Sequence, residues 1–382
     1  KEKQTKQLQQ DLQAWRTASK KMPKSLKAKS AGPLRRTLRD LTPRCQPAIP
    51  VWIMSLSQLV EFYNAKTNKF DVIIIDEASQ ADMLSLTALY LGKQVIIVGD
   101  DKQVSPDTVG IKTEAMTGLQ EQYLSGMTIQ SLLNKNTSIY DLAQLALFKK
   151  VILTEHFRCV PDIIQFSNSL FYDGKIQALR DSTDVKVRPF VKELRIENGR
   201  REPNSKVNNL EAEKTIQKIQ ELIRDHEYKD KTFGIISMLG QDQSALLQNK
   251  IQETFDLFEI KNRKILVGSP SHFQGDERDV IFINLIDDSD SCRMVAYDGG
   301  DSSHSRAYNV AASRAKDQMW VVHSLNPERD LKADDLRYKL INHVRNPQNS
   351  IDESKLMKSE SPFELEVMRA LQIGRASCWE SV

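Results

Sequence analysis

The stretch from Asp71 to Pro106 reads DVIIIDEASQADMLSLTALYLGKQVIIVGDDKQVSP. It holds two short runs of valine and isoleucine, and each ends abruptly in acidic residues. A β-branched run of this length suits a strand buried on both faces of a parallel sheet. Ligands of open α/β sheets bind at the carboxyl ends of the strands. Asp76 and Glu77, at the end of the first run, are therefore placed to hold a magnesium ion and to polarise a water. Asp100 and Gln103 end the second run and can sense the same site. Carboxylates so placed point to a nucleoside-triphosphate motor.

Such chemistry also needs cations that meet the charge developing on a γ-phosphate. Two arginines qualify. Arg158 follows an expected strand, Val151 to Thr154, and Arg314 lies in AYNVAASRAKDQMWVV at the expected start of a helix. Both are read as strand-to-helix junctions, from which a side chain can project into a cleft. An arginine finger contributes on the order of 10³ to 10⁵ in rate. Gln274-Gly275-Asp276-Glu277 sits between two expected strands. Gly275 lets backbone approach a ligand, and Glu277 can accept from a ribose hydroxyl. Ser55, Ser57, Ser269 and His272 are placed at strand ends, where they can hydrogen-bond nucleic-acid phosphates without reading sequence.

The bulk properties bound the class. The chain has 382 residues, enough for two or three domains, with 27% charged residues and a net charge of +3. The distribution is uneven: from Arg16 to Arg44 lie Lys20, Lys21, Lys24, Lys27, Lys29, Arg35, Arg36 and Arg39, opposed only by Asp40. Such a block either tracks a phosphate backbone or forms a solvated helical face. Cys45, Cys159, Cys292 and Cys378 lie far apart, without zinc-ligand spacing, and read as reduced thiols. No signal peptide or membrane-length apolar run is visible, so a cytoplasmic location without membrane partners is expected.

Along the chain, residues 1–45 read as a basic helical segment and 46–148 as the remainder of a first α/β domain. Residues 149–328 read as a second α/β domain, 329–360 as linker, and 361–372 as the truncated start of another domain. Helix is expected from Lys1 to about Lys29, a strand at Val51–Met54, and a surface loop region at about Thr108–Asn136. Pro161 opens a helix to about Tyr172, because proline suits the first helical turn. Ala212, Ile216, Ile219 and Ile223 stripe a helix over Asn209–Asp225. Further strands are expected at Phe233–Ser237, Ile265–Ser269, Val280–Ile286 and Met319–His323. Alternating strands and helices argue for parallel sheets.

Taken in order, these segments resemble the helicase motifs of superfamily 1, in the branch that includes nonsense-mediated-decay and senataxin-like helicases. DEASQ resembles motif II and GDDKQVSP motif III. LTEHFRCVPDIIQFSNSLFYDGKI resembles motif IV, with Phe157-Arg158 where Tyr-Arg is common. FGIISMLGQDQ resembles motif IVa, SPSHFQGDERDVIFINL motif V, and YNVAASRAKDQMWVV motif VI, with Ser313 where threonine is common. The resemblance covers about Pro50 to Leu325. It implies two RecA-like P-loop NTPase domains, the first incomplete at its N-terminus, with ATP and Mg²⁺ as cofactors. It implies that Asp76 binds magnesium, Glu77 activates water and Gln103 couples nucleotide to nucleic acid. It further implies that Arg158 and Arg314 contact the γ-phosphate, that Gly275 and Glu277 contact nucleotide, and that movement runs 5′ to 3′.

The chain is also similar to large bacterial proteins that join such a helicase to a Vsr-like endonuclease. There, SPFE opens the nuclease, as Ser361-Pro362-Phe363-Glu364 does here, which favours DNA over RNA and a nuclease domain in the same full-length chain. The last ten residues, IGRASCWESV (373–382), resemble a translated sequencing adaptor. No GxxxxGK[ST] phosphate loop occurs in the 382 residues. Without that loop the β- and γ-phosphates lack their backbone cradle, so this chain alone is expected to hydrolyse ATP poorly. The rival readings are an RNA helicase of the same superfamily and a nucleic-acid-binding fragment without motor activity.

Overall fold

The computed structural model describes residues 6–22, 31–64, 66, 69–82, 85–104, 113–127, 130, 132–133, 137–146 and 150–347. The expected linker beyond 347, the nuclease-like start at 361–372, the adaptor-like 373–382 with Cys378, and Lys24, Lys27 and Lys29 lie outside the described residues. The chain divides into two compact units, one formed by 1–101 with 105–150 and one by 102–104 with 151–382. Both are parallel α/β, the class expected from the sequence.

In the first unit, α1 (Lys6–Lys21) and α2 (Ala31–Cys45) form an antiparallel pair. Arg44 bridges to Asp11 at 2.9 Å, and Trp15 Nε1 donates to Thr42 Oγ1 at 2.9 Å. Pro43 sits inside α2 near its end. The strand expected at Val51–Met54 is absent: these residues form no regular element, and Ile53 is 96% exposed. No described strand lies beside them to complete a ladder. Next come α3 (Leu56–Phe62), β1 (Phe70–Ile75), α4 (Leu86–Leu91) and β2 (Gly92–Ile97). β1 and β2 pair in parallel, with Ile74 opposite Ile96. The double-sided burial expected of them fails. Ile73 and Ile75 are buried against Leu59, Ala88 and Leu91, whereas Val72, Ile74 and Ile96 are 45%, 65% and 50% exposed. One helical layer covers one face among the described residues. Two helices follow, α5 (Thr113–Leu124) and α6 (Ile139–Ala146); α5 occupies part of the stretch expected to be loop.

The second unit begins with β3 (Glu155–His156), α7 (Pro161–Phe171) and β4 (Gln177–Ala178). The strand expected at Val151–Thr154 is displaced to Glu155–His156, because the only described partner, β4, is two residues long. Val151 and Leu153 stay more than 80% exposed. The main sheet comprises β5 (Val191–Arg195), β6 (Phe233–Ser237), β7 (Leu266–Gly268), β8 (Arg278–Asn284) and β9 (Ala315–His323). Its order is β5-β9-β8-β6-β7, all parallel. Crossovers run through α8 (Asn209–Arg224), α9 (Asp242–Thr254), α10 (Leu257–Asn262) and α11 (Ser303–Ala312), and α12 (Pro327–Asp330) and α13 (Leu336–Arg345) close the unit. All five residues of β6 are buried, as are all of β9 except Lys316. This sheet is therefore covered on both faces, the state that continuous apolar strands require. Gly234 fits here because a Cβ would lie 2.5 Å from Ile281 and 2.7 Å from Phe273.

Candidate nucleotide and nucleic-acid sites

In the first unit, parallel pairing puts the ends of β1 and β2 side by side. Asp76 and Glu77 follow β1 directly, Asp100 lies three residues beyond β2, and Ala78 N–H bonds Val98 O at 2.8 Å. Glu77 adopts φ 51°, the left-handed region, a conformation that costs of order 1–3 kcal/mol for a residue other than glycine. Asp76 Oδ1 accepts from Glu77 N–H at 3.0 Å, and Gln80 Nε2 donates to Glu77 Oε2 at 3.2 Å. The turn thus redirects the chain immediately after the acidic pair. These are hard oxygen donors at a strand end, a set that fits Mg²⁺, which uses one or two carboxylates together with substrate phosphates and water. Ser55 is the N-cap of α3, where its Oγ accepts from Gln58 N–H at 3.3 Å, and Ser57 lies in the first turn with its Oγ 3.0 Å from that of Ser55. Neither ends a strand as expected, since the residues before them form none.

In the second unit a charged pocket opens between Glu155, Phe157, Arg158, Arg180, Glu277 and Lys316, beside His156. Arg158 Nε pairs with Glu277 Oε2 at 2.7 Å, so the carboxylate expected to face a ribose here holds an arginine. The loop presenting Arg158 is pinned from several sides. Cys159 N–H donates to His156 Nε2 at 3.0 Å, Arg180 Nη1 donates to Arg158 O at 2.8 Å and to Lys316 O at 2.5 Å, and Val160 N–H donates to Lys316 O at 3.1 Å. Burial, reinforced by Arg158 and Arg314, lowers the His156 pKa to about 4. The ring is therefore neutral, which leaves Nε2 free to accept.

Arg314 is expected at the start of a helix. Instead it follows α11 and leads into β9, at a helix-to-strand junction. The reason is that Ala315 already pairs with Arg278 of β8, so the extended segment starts before the apolar run. Arg314 is only 2% exposed; its Nε donates to Val310 O at 3.1 Å and its Nη2 to Gln103 Oε1 at 3.2 Å. Gln103 belongs to the short segment 102–104 that groups with this unit. Asn309 Nδ2 donates to Lys102 O at 2.7 Å in the same segment. Gly275 has φ +76°, and no atom lies within 4 Å of where its Cβ would sit, leaving backbone open to a ligand.

Ser269 and His272 follow β7 at the carboxyl end of the sheet, with Ser269 Oγ 2.9 Å from His272 Nδ1. The segment from there to Glu277 runs back to the amino end of β8. It therefore separates these two residues from the Arg158–Glu277 pair. The structure brings together Arg158, Gly275, Glu277 and Arg314 and leaves Ser269 and His272 apart from them. His156, Arg180, Lys316 and Asn309 were missed from sequence. Lys316 and Asn309 lie in quoted segments and Arg180 just beyond one, but their roles depend on contacts more than a hundred residues apart, such as Arg180 with Lys316, whereas His156 acts locally by accepting from Cys159 N–H.

Residues 130–326 match a family profile described as "AAA domain", and residues 53–109 match a second profile of the same description. "Helicase SEN1" of Saccharomyces cerevisiae is 27% identical over 66% of this chain and 11% of its own length. "Uncharacterized ATP-dependent helicase MG140" of Mycoplasma genitalium is 26% identical over 71% and 24%. "Regulator of nonsense transcripts 1 homolog" of Neurospora crassa is 28% identical over 65% and 22%. The chain thus spans about a tenth to a quarter of these relatives.

Proposed function

From the premise that this chain belongs to the AAA-domain family and groups there with superfamily 1 helicases, we propose that it is motor-core sequence of an ATP-dependent nucleic-acid helicase or translocase. The first unit supplies carboxylates: Asp76, with Asp100 close by, holds Mg²⁺, and Glu77 positions the attacking water. The second supplies charge: Arg158 and Arg314 meet the γ-phosphate, and Gly275 opens backbone to the nucleotide. Bound Mg²⁺ would neutralise charge on the β- and γ-phosphates. Glu277 holds Arg158 until a phosphate competes for the guanidinium, then becomes available to a ribose hydroxyl. Gln103, hydrogen-bonded to Arg314, couples nucleotide state to the strand contacts assigned to Ser55, Ser57, Ser269 and His272. DNA is the proposed substrate and 5′ to 3′ the proposed direction, both on the family resemblance.

One observation carries the reading most: Arg158 and Arg314 are fixed to one scaffold. Cys159 Sγ donates to Ser313 O at 3.4 Å, directly before Arg314. Arg158→Ala is the test, in a version of the protein that also carries a phosphate loop. Arg158 is one-third exposed, so the change spares the core. Nucleic-acid-stimulated ATPase should fall by about 10³ or more while strand binding persists. ATPase that survives the substitution would overturn the assignment. Competition between DNA and RNA of one sequence at fixed salt decides the substrate.

A further inference from the structure

The α1–α2 hairpin is the most polarised part of the chain. Residues 6–45 carry eleven lysines and arginines against two aspartates, whereas the whole protein is only +3. The rest of the chain is therefore net acidic. Some of these cations are structural: Arg44 pairs with Asp11, Arg35 with Glu61 at 3.1 Å, and Arg39 donates to Glu61 O. Arg16, Lys20, Lys21 and Arg36 are different. They are exposed and have no ion pair or hydrogen bond among the described residues. The Asp11–Arg44 and Trp15–Thr42 contacts set the antiparallel register, which puts these four toward the end of the hairpin where α1 stops.

We infer that this end of the hairpin binds the phosphate backbone of nucleic acid through residues that belong to none of the helicase motifs. The inference rests on the proposed function above. The partner class follows from what the surface lacks. Trp15 packs edge-on against Trp52, and Ala18, Leu38 and Leu41 are buried, so among the described residues of the hairpin no apolar stripe remains to enter a membrane or anchor an acidic protein. The exposed positions of α1 are glutamine, alanine, threonine, serine and the cations. A phosphate backbone needs nothing more than cations, and each contact adds about 0.7–0.9 to the slope of log K against log salt.

The test uses the whole 382-residue chain. Arg16→Gln, Lys20→Gln, Lys21→Gln and Arg36→Gln are combined, and binding to a labelled DNA oligonucleotide is followed by anisotropy between about 50 and 200 mM salt. The slope should flatten by about 3. The Lys20→Gln/Lys21→Gln pair should account for about half of that change, which guards against misfolding of the fourfold variant. Wild-type binding with an unchanged slope in both variants, at unchanged circular dichroism, would overturn the inference alone. Wild-type protein that binds no DNA would overturn both this inference and the reading beneath it. Polyglutamate displacing DNA at equal charge would sink the choice of nucleic acid as partner.

Discussion

Glu211 shows how one residue couples the fold to pH. It is fully buried in α8, its Oε1 accepts from Ile286 N–H at 3.0 Å, and its Oε2 lies 3.2 Å from Ser324 Oγ. Burial raises its pKa from 4.5 to about 8, although the Ile286 and Ser324 hydrogen bonds oppose the rise. The native state therefore holds a proton that the unfolded chain releases between these values. This contribution is fully present below about pH 4.5 and is lost as pH rises through about 8. Glu211→Gln keeps an acceptor and cannot ionise, so its denaturation midpoint should lose less stability than wild type between pH 6 and pH 9 (roughly one side of the window to the other). Parallel pH profiles for the two proteins would show that the site is not protonated. Glu193 has the opposite sign. Burial would raise its pKa, but hydrogen bonds from His323 and Arg345 outweigh it and lower the value to about 2. Its contribution is present above the ordinary carboxylate range and is lost as pH falls through about 2. Glu193→Gln should therefore cost stability near neutrality and flatten the acid limb, as read by urea melts from neutral pH downward.

At the scale of elements, β6 is buried along its whole length. Gly234 leaves room for Ile281 and Phe273, so Gly234→Ala should destabilise by about 1–3 kcal/mol through overpacking. A urea midpoint unchanged by the substitution would show that the neighbours can move. The same strand explains what sequence could reveal. FGIIS is apolar throughout, and its strand runs over the expected Phe233–Ser237, because complete burial leaves a continuous signal. β5 gave no such signal. VKELR is an edge strand, and its polar residues work inward: Lys192 lies 4.6 Å from the Trp320 ring centroid and Glu193 binds His323. Charge of this kind protects edges and disguises them. The two expected strands that failed, Val51–Met54 and Val151–Thr154, are apolar runs whose local preference finds no long partner. In the candidate site, what the sequence revealed of Asp76, Glu77, Arg158 and Glu277 is their place beside strand ends. The roles of Arg180, outside the motif segments, and His156, within one, were not legible, since each acts by pinning backbone.

At the scale of the whole molecule, the proposed function assigns its carboxylates, which follow β1 and β2, to the first unit and its guanidinium groups, near the starts of β8 and β9, to the second. No GxxxxGK[ST] occurs in the 382 residues to supply a backbone cradle for the β- and γ-phosphates. Positioning and charge stabilisation are almost all that a phosphoryl-transfer enzyme supplies. Losing the cradle removes positioning while leaving the charges intact. The 382-residue chain should therefore bind nucleic acid in a salt-sensitive way yet turn ATP over far below the ~1–100 s⁻¹ of efficient phosphoryl-transfer enzymes. Steady-state phosphate release, with and without a saturating single strand, measures this directly. Strand-stimulated turnover within that range would mean that the pocket beside Arg158 and Glu277 holds a triphosphate unaided, and the division of labour between the units would have to be redrawn.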